Sequence, residues 1–248
     1  MSTNKFLLFL FISFIFINCQ NQQNLDFEKT AKILKDSLLV QSEDYLQQQP
    51  ITVTSNSSDR SEGTAHDFYS EGDYWWPDPE NSDAPYIQKD GMTNPENFVA
   101  HREALIRFSE IVGNLTSAYL ITKDVKYAEV AIIHCKAWFV DSNTKMNPNL
   151  LYAQAIKGRH TGRGIGIIDA IHFIEVIQAM IVLEKHEKIN PNDLVEIKKW
   201  FADFLTWLTT HKYGKDEMAH PNNHGTCWNM QVGIYAVFTK NDRILQFC

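Results

Sequence analysis

The chain has 248 residues, 44% of them hydrophobic and 12% aromatic, enough apolar material for one large core and a single domain. Its formal charge of −7 and pI near 5.7 argue against a nucleic-acid partner, whose binders usually carry a basic stripe. An acidic protein binds a polyanion only where cations are gathered locally.

Residues 1–19 read as a signal peptide. Lys5 supplies the positive start, and Phe6 to Ile17 is apolar apart from Ser13. Twelve residues are too few for a lasting membrane span. The stretch Phe16-Ile17-Asn18-Cys19 resembles a loose lipoprotein box, with Cys19 as the lipidated residue. Asn18 departs from the strict pattern, so plain secretion stays open beside lipidation. The expected location is the periplasm or the outer membrane of a bacterium, with the N-terminal lipid as the one membrane contact. No disulfide framework is expected from Cys19, Cys135, Cys227 and Cys248, which show no CxxC pair or metal-type spacing.

Residues 20–60 are polar and rich in Gln and Ser, and read as a tether and lead-in with one weakly amphipathic stretch near Phe27–Leu39. Ser61 to Pro95 has no clear period and reads as a long ordered loop, because six aromatics argue against disorder: Phe68, Tyr69, Tyr74, Trp75, Trp76 and Tyr86.

Helices dominate from there to the end, so residues 61–248 form the expected domain. Asn94-Pro95-Glu96-Asn97 is a fair helix start, and Phe98, Leu105, Phe108, Ile111, Val112, Leu115 and Tyr119 follow helical spacing. A tight break at Thr122-Lys123-Asp124 predicts an antiparallel second helix. A polar loop over about Asp141–Gly164 precedes a helix from about Gly166 to Glu187. Another runs from Asn190 to about Thr209, then comes a loop His211–Pro221, and then a helix beginning near Asn222 or Asn223. Asn241 to Leu245 reads as the start of one more, cut off in its first turns, so the chain reads as truncated at its C-terminus. No strand-like alternation rivals this pattern, and the expectation is an all-α fold of antiparallel helix pairs.

Four groups of residues carry candidate chemistry. In Tyr74-Trp75-Trp76-Pro77-Asp78, flat aromatics beside carboxylates suit sugar stacking, while an aromatic plug in the core explains them equally well. Two adjacent Trp side chains cannot both point the same way. Lys157-Gly158-Arg159-His160-Thr161-Gly162-Arg163 puts three fixed cations in seven residues, a local anion site or else a solvated basic loop. Gly162-Arg163-Gly164-Ile165-Gly166 lacks the βαβ context of a dinucleotide fingerprint. In Asn222-Asn223-His224 two amides and an imidazole sit at a helix start, where a carboxylate is favoured. Asn222 is also explained as an ordinary helix cap. A zinc pair of His220 and His224 is disfavoured by Pro221 between them, and no metal is expected. The fourth group is a scatter of carboxylates, Glu71, Asp73, Asp169, Glu175 and Glu217, which sequence alone does not pair.

Ser70 to Asp78, Gly91-Met92-Thr93-Asn94-Pro95, Gly162 to Gly166 and Asn222 to Trp228 together resemble, in order, the landmarks of the bacterial alginate lyase family. The similarity runs from about His66 to the end. It implies an incomplete (α/α) toroid, an acidic polysaccharide substrate, and β-elimination without a redox cofactor. It also implies that Asn223 and His224 match the family's Asn–His pair, which neutralises the substrate carboxylate. His224 can also serve as base where the C5 configuration is opposite. Gln154, Arg163, Lys157, Asn222, Tyr74, Trp75 and Trp76 are the expected substrate contacts. The family's proton-donating Tyr, with an Arg just before it, is expected beyond Cys248, and Tyr235 is no obvious substitute. A glycoside hydrolase using carboxylates of the Glu71–Asp78 loop and a non-catalytic glycan-binding protein remain the alternatives.

Overall fold

A computed structural model describes residues 26–246; the signal-peptide reading, Cys19 and Cys248 lie outside the described residues. The segment read as a tether contains a helix, α1, over 26–45, and a 3-10 turn at Val53–Ser55. The end of α1 is docked. Tyr45 and Ser42 are buried, Ser42 Oγ lies 2.6 Å from Asn114 Oδ1, and the Tyr127 hydroxyl donates to Glu43 at 2.7 Å. Composition hid this because few apolar residues do the anchoring, while Phe27, Ile33 and Leu34 earlier in α1 stay exposed.

Helices α2 (Ala100–Thr122) and α3 (Val125–Phe139) form the expected hairpin. Lys123 turns the chain in the left-handed region at φ 62°, and the Asp124 side chain accepts from Lys126 N to start α3. Next come α4 (Phe173–Lys185), α5 (Pro191–Thr210), α6 (Lys212–Met218), α7 (Asn223–Thr239) and α8 (Asp242–Leu245). Helix α2 packs on α3 and α4, α3 also on α5, and α7 on both α4 and α5. Two layers result, α2, α4 and α7 in one and α3 and α5 in the other, the layout of an (α/α) toroid. Aromatic rings fill the space between them: Phe108 stacks on Trp138 at 4.9 Å, and Phe139, Phe173, Trp200 and Phe201 interlock.

Four boundaries differ from expectation. Asn94–Asn97 does not begin α2. Its buried amides serve the aromatic loop instead, Asn94 Nδ2 donating to Trp75 O and Asn97 Nδ2 to Gly72 O, both at 2.9 Å. The helix expected from Gly166 is split into a 3-10 segment, Gly164–Ala170, and α4, bent by 44°. Gly166 presses on Ala153, where a Cβ would come within 2.5 Å of the Ala153 Cβ. The loop expected at His211–Pro221 contains α6, capped by His211 Nδ1, which accepts from Tyr213 N at 3.2 Å. The polar loop before Gly164 holds a strand, β4 (Tyr152–Ala155), which pairs in parallel with β1 (Tyr69–Glu71). A second ribbon joins β2 (Trp75–Trp76) to β3 (Ile87–Gln88) in antiparallel register.

Candidate functional site

Strand β1 divides its side chains between two faces, as any strand does. Ser70 turns to the interior, where its hydroxyl donates to Asp169 Oδ2 at 2.5 Å and its oxygen accepts from Gln154 N at 2.8 Å. Tyr69 and Glu71 turn the other way, toward Arg60. Gln154 holds a left-handed backbone, φ 55°, which is uncommon for a residue with a Cβ. That twist brings its amide within 3.2 Å of Asp169 Oδ1. Arg163 Nε donates to Gln154 O at 2.7 Å, and the guanidinium tip lies beside Gly72 and Trp75, where a Cβ on Gly72 would sit 2.8 Å from it. Asp169 is thereby the centre of a buried network with Ser70, Gln154 and Arg102, whose Nε is 3.7 Å away. Burial raises the Asp169 pKa, opposed by Arg102 and by its hydrogen bonds. Burial lowers that of Arg163, opposed by Asp169.

A second polar group lies at the start of α7. Asn222 is its N-cap, with Oδ1 accepting from His224 N at 3.1 Å. Asn223 is exposed. The His224 ring is 21% exposed at the side chain, and its Nδ1 lies 2.7 Å from Oε1 of Glu217, which is fully buried. Burial raises the Glu217 pKa and His224 opposes the shift. The corner between α6 and α7 is tight, since a Cβ on Gly225 would meet His220 O at 2.3 Å. The two groups join through α6, which packs on the 3-10 segment. There the Tyr213 hydroxyl donates to Gly162 O at 2.8 Å, and the Asp169 charge reaches Glu217. Amides, an arginine and an imidazole thus stand on neighbouring elements, the 3-10 segment with its β4 neighbour on one side of α6 and the start of α7 on the other.

The profile of the family described as Alginate lyase matches residues 52–248. The chain belongs to the alginate lyase family. Among solved structures, an alginate lyase from Bacteroides ovatus is 35% identical and superposes with a TM-score of 0.80. That likeness covers 89% of this chain and 61% of the other, so the present chain spans about 61% of the length of that relative. No curated protein gives a match.

Within this alginate lyase family fold, the residues singled out from the sequence fall into two places. Gln154 and Arg163 belong to the network around Asp169, with Trp75 beside Arg163, and Asn222, Asn223 and His224 to the start of α7. Trp76 points to the other face of β2, donating from Nε1 to Met92 O at 2.8 Å beneath Lys89. Tyr74 is 41% exposed. The basic run does not converge on one anion. Arg159 stacks over Trp75 and donates to Tyr86 O, and Lys157 reaches toward Ser82 O. These two line a separate cavity of about 420 Å³ with Arg60 and His160.

Other groups are committed to structure. Glu71 accepts from Arg60 twice, from Phe98 N and from the Tyr69 hydroxyl, which leaves it no freedom for the acid–base work a hydrolase would ask of it. Tyr235 is buried and donates to Gln231 Oε1. Asp169 and Glu217 were visible in the sequence only among scattered acids. Glu217 lies seven residues before His224 on a helix the sequence did not announce, and its one local signal was the capping His211.

Proposed function

We propose that the protein cleaves a uronic-acid polymer, alginate or a related polyuronate, by β-elimination, with Asn223 and His224 binding the carboxylate beside the reacting carbon. The observation that carries this reading is the pair's position in the first turn of α7. There the exposed Asn223 amide and the partly exposed His224 ring adjoin the positive end of the helix. The chemistry demands such a site. The C5 proton is acidified only by the neighbouring carboxylate, and removing it gathers negative charge on the carboxylate oxygens. Hydrogen-bond donors fixed there stabilise that charge, and each is worth about 3–4 kcal/mol. The electron pair left at C5 forms the C4=C5 double bond, the C4–O4 bond breaks, and the departing oxygen takes up a proton. Gln154 and Arg163 fit a neighbouring sugar's polar edge, and Trp75 its apolar face. Tyr74, Trp76 and Lys157 belong to flanking surface.

The leader over residues 1–19 fits export, with Cys19 as lipid attachment point. Labelling cells with a radioactive fatty acid should mark the wild-type protein and not Cys19→Ala.

Incubating the full-length protein with polymannuronate, polyguluronate and polyglucuronate, while following ultraviolet absorbance, tests the reaction. A lyase raises absorbance as the conjugated product forms. Chain scission without that rise would make it a hydrolase, and binding without scission a glycan receptor.

A further inference from the structure

Among the described residues Glu217 is the one carboxylate in contact with the proposed carboxylate-binding pair, and no role in that reading uses it. We infer that Glu217 is a positioning residue that fixes which nitrogen of His224 carries the proton, so that Nε2 faces the substrate. This inference rests on the proposed role of His224.

The geometry is direct. Glu217 Oε1 is 2.7 Å from His224 Nδ1, and the carboxyl is fully buried. An ionised carboxylate only accepts hydrogen bonds, so Nδ1 must bear the hydrogen and Nε2 is left with its lone pair. In the neutral ring Nε2 can then take a proton. In the charged ring it donates one toward a substrate carboxylate while Glu217 balances the charge from behind.

Two further observations separate this from ordinary packing. The second oxygen, Oε2, is buried without a protein hydrogen-bond partner among the described residues. His220 Nε2 lies 4.0 Å from it. A buried carboxyl satisfied on one side only is costly, and an amide or an apolar residue would fill the same space at less cost. The surrounding backbone also leaves little slack. Gly214 on α6 lies against Leu208 O, where a Cβ would be 1.9 Å away, and Gly225 lies against His220 O. The two close approaches pack the ends of α6 tightly against the segments before and after it, and α6 carries Glu217 to His224. Burial raises the Glu217 pKa, and the hydrogen bond with His224 opposes that rise and so favours the ionised carboxylate.

Histidine-selective ¹⁵N NMR of the full-length protein, near neutral pH and without substrate, reads the tautomer directly. His224, assigned by its loss in His224→Ala, should carry hydrogen on Nδ1 in the wild type. In Glu217→Gln, whose amide can donate as well as accept, the Nε2–H form should appear. With a polyuronate, Glu217→Gln should lower kcat by about 10²- to 10⁴-fold, the range seen when an orienting partner is lost, while KM changes little. A wild-type His224 protonated on Nε2 alone overturns the inference with no variant needed, as does a Glu217→Gln protein with unchanged tautomer and unchanged kcat. Because the spectrum needs no turnover, a wild-type protein that makes no unsaturated product removes the lyase reading and leaves the tautomer assignment standing on its own result.

Discussion

Asn222 and Asn223 are adjacent and chemically identical, yet the fold gives them different work. Asn222 spends its side-chain oxygen on His224 N as the cap of α7, while the Asn223 side chain is exposed beside His224. Asn222→Ala should therefore cost about 1 kcal/mol of stability, read as a lowered melting temperature, since a capping oxygen is lost. Asn223→Ala should leave the melting temperature unchanged and lower kcat by ~10²- to 10³-fold, the scale for one fixed donor to developing charge. Thermal melts and initial rates of unsaturated product distinguish them, and an exchange of the two effects would reverse the assignment. The sequence made this segment legible because its three polar residues are contiguous at a helix start. Glu217 and Asp169 were not, because a lone acid gains meaning only from what folding sets against it, here His224 and Ser70.

At the scale of elements, β1 is a hub though it has only three residues. One of its faces supplies Ser70 to the Asp169 network. The other holds Glu71 against Arg60, whose Nη2 also donates to Glu96 O at 3.0 Å, tying the segment before β1 to the approach to α2. The Glu71 side chain is 4% exposed and that of Arg60 37%, so solvent screens the cation but not the carboxylate. Replacing Arg60 by Met should cost about 2–3 kcal/mol, below the full penalty for breaking a wholly buried pair, because Phe98 N and the Tyr69 hydroxyl still serve Glu71. Urea denaturation would measure it, and a cost under about 0.5 kcal/mol would place that charge among ordinary surface pairs. The long helices could be read from periodicity. The short strands could not, since two to four residues carry no period, and their pairing depends on contacts across more than 80 positions, as between Tyr69 and Tyr152.

Over the whole molecule, the helical layers are closed on one side by the chain that follows α1, and a histidine sits at that seam. His134 of α3 is 1% exposed, and its Nε2–H donates to Gln48 O at 3.2 Å. Burial drives its pKa down to about 4, and the nearby Arg107 pushes the same way. In the unfolded chain the ring protonates near 6.5, so between that pH and about 4 the unfolded state holds a proton that the native state refuses. Stability must therefore fall as pH falls through this window. His101, also lowered by burial, adds to the fall. Asp169 and Glu217 act in the opposite sense, because their raised pKa values make the native state the tighter proton binder above their unfolded values of 3.8 and 4.5. Replacing His134 by Gln keeps an N–H donor for Gln48 O and removes the titration. At pH 8 the variant should melt below the wild type through imperfect packing, and the gap should narrow steadily as the buffer is taken from pH 6.5 toward 4. Parallel melting curves at every pH would mean that the His134 ring is free to ionise in the folded protein.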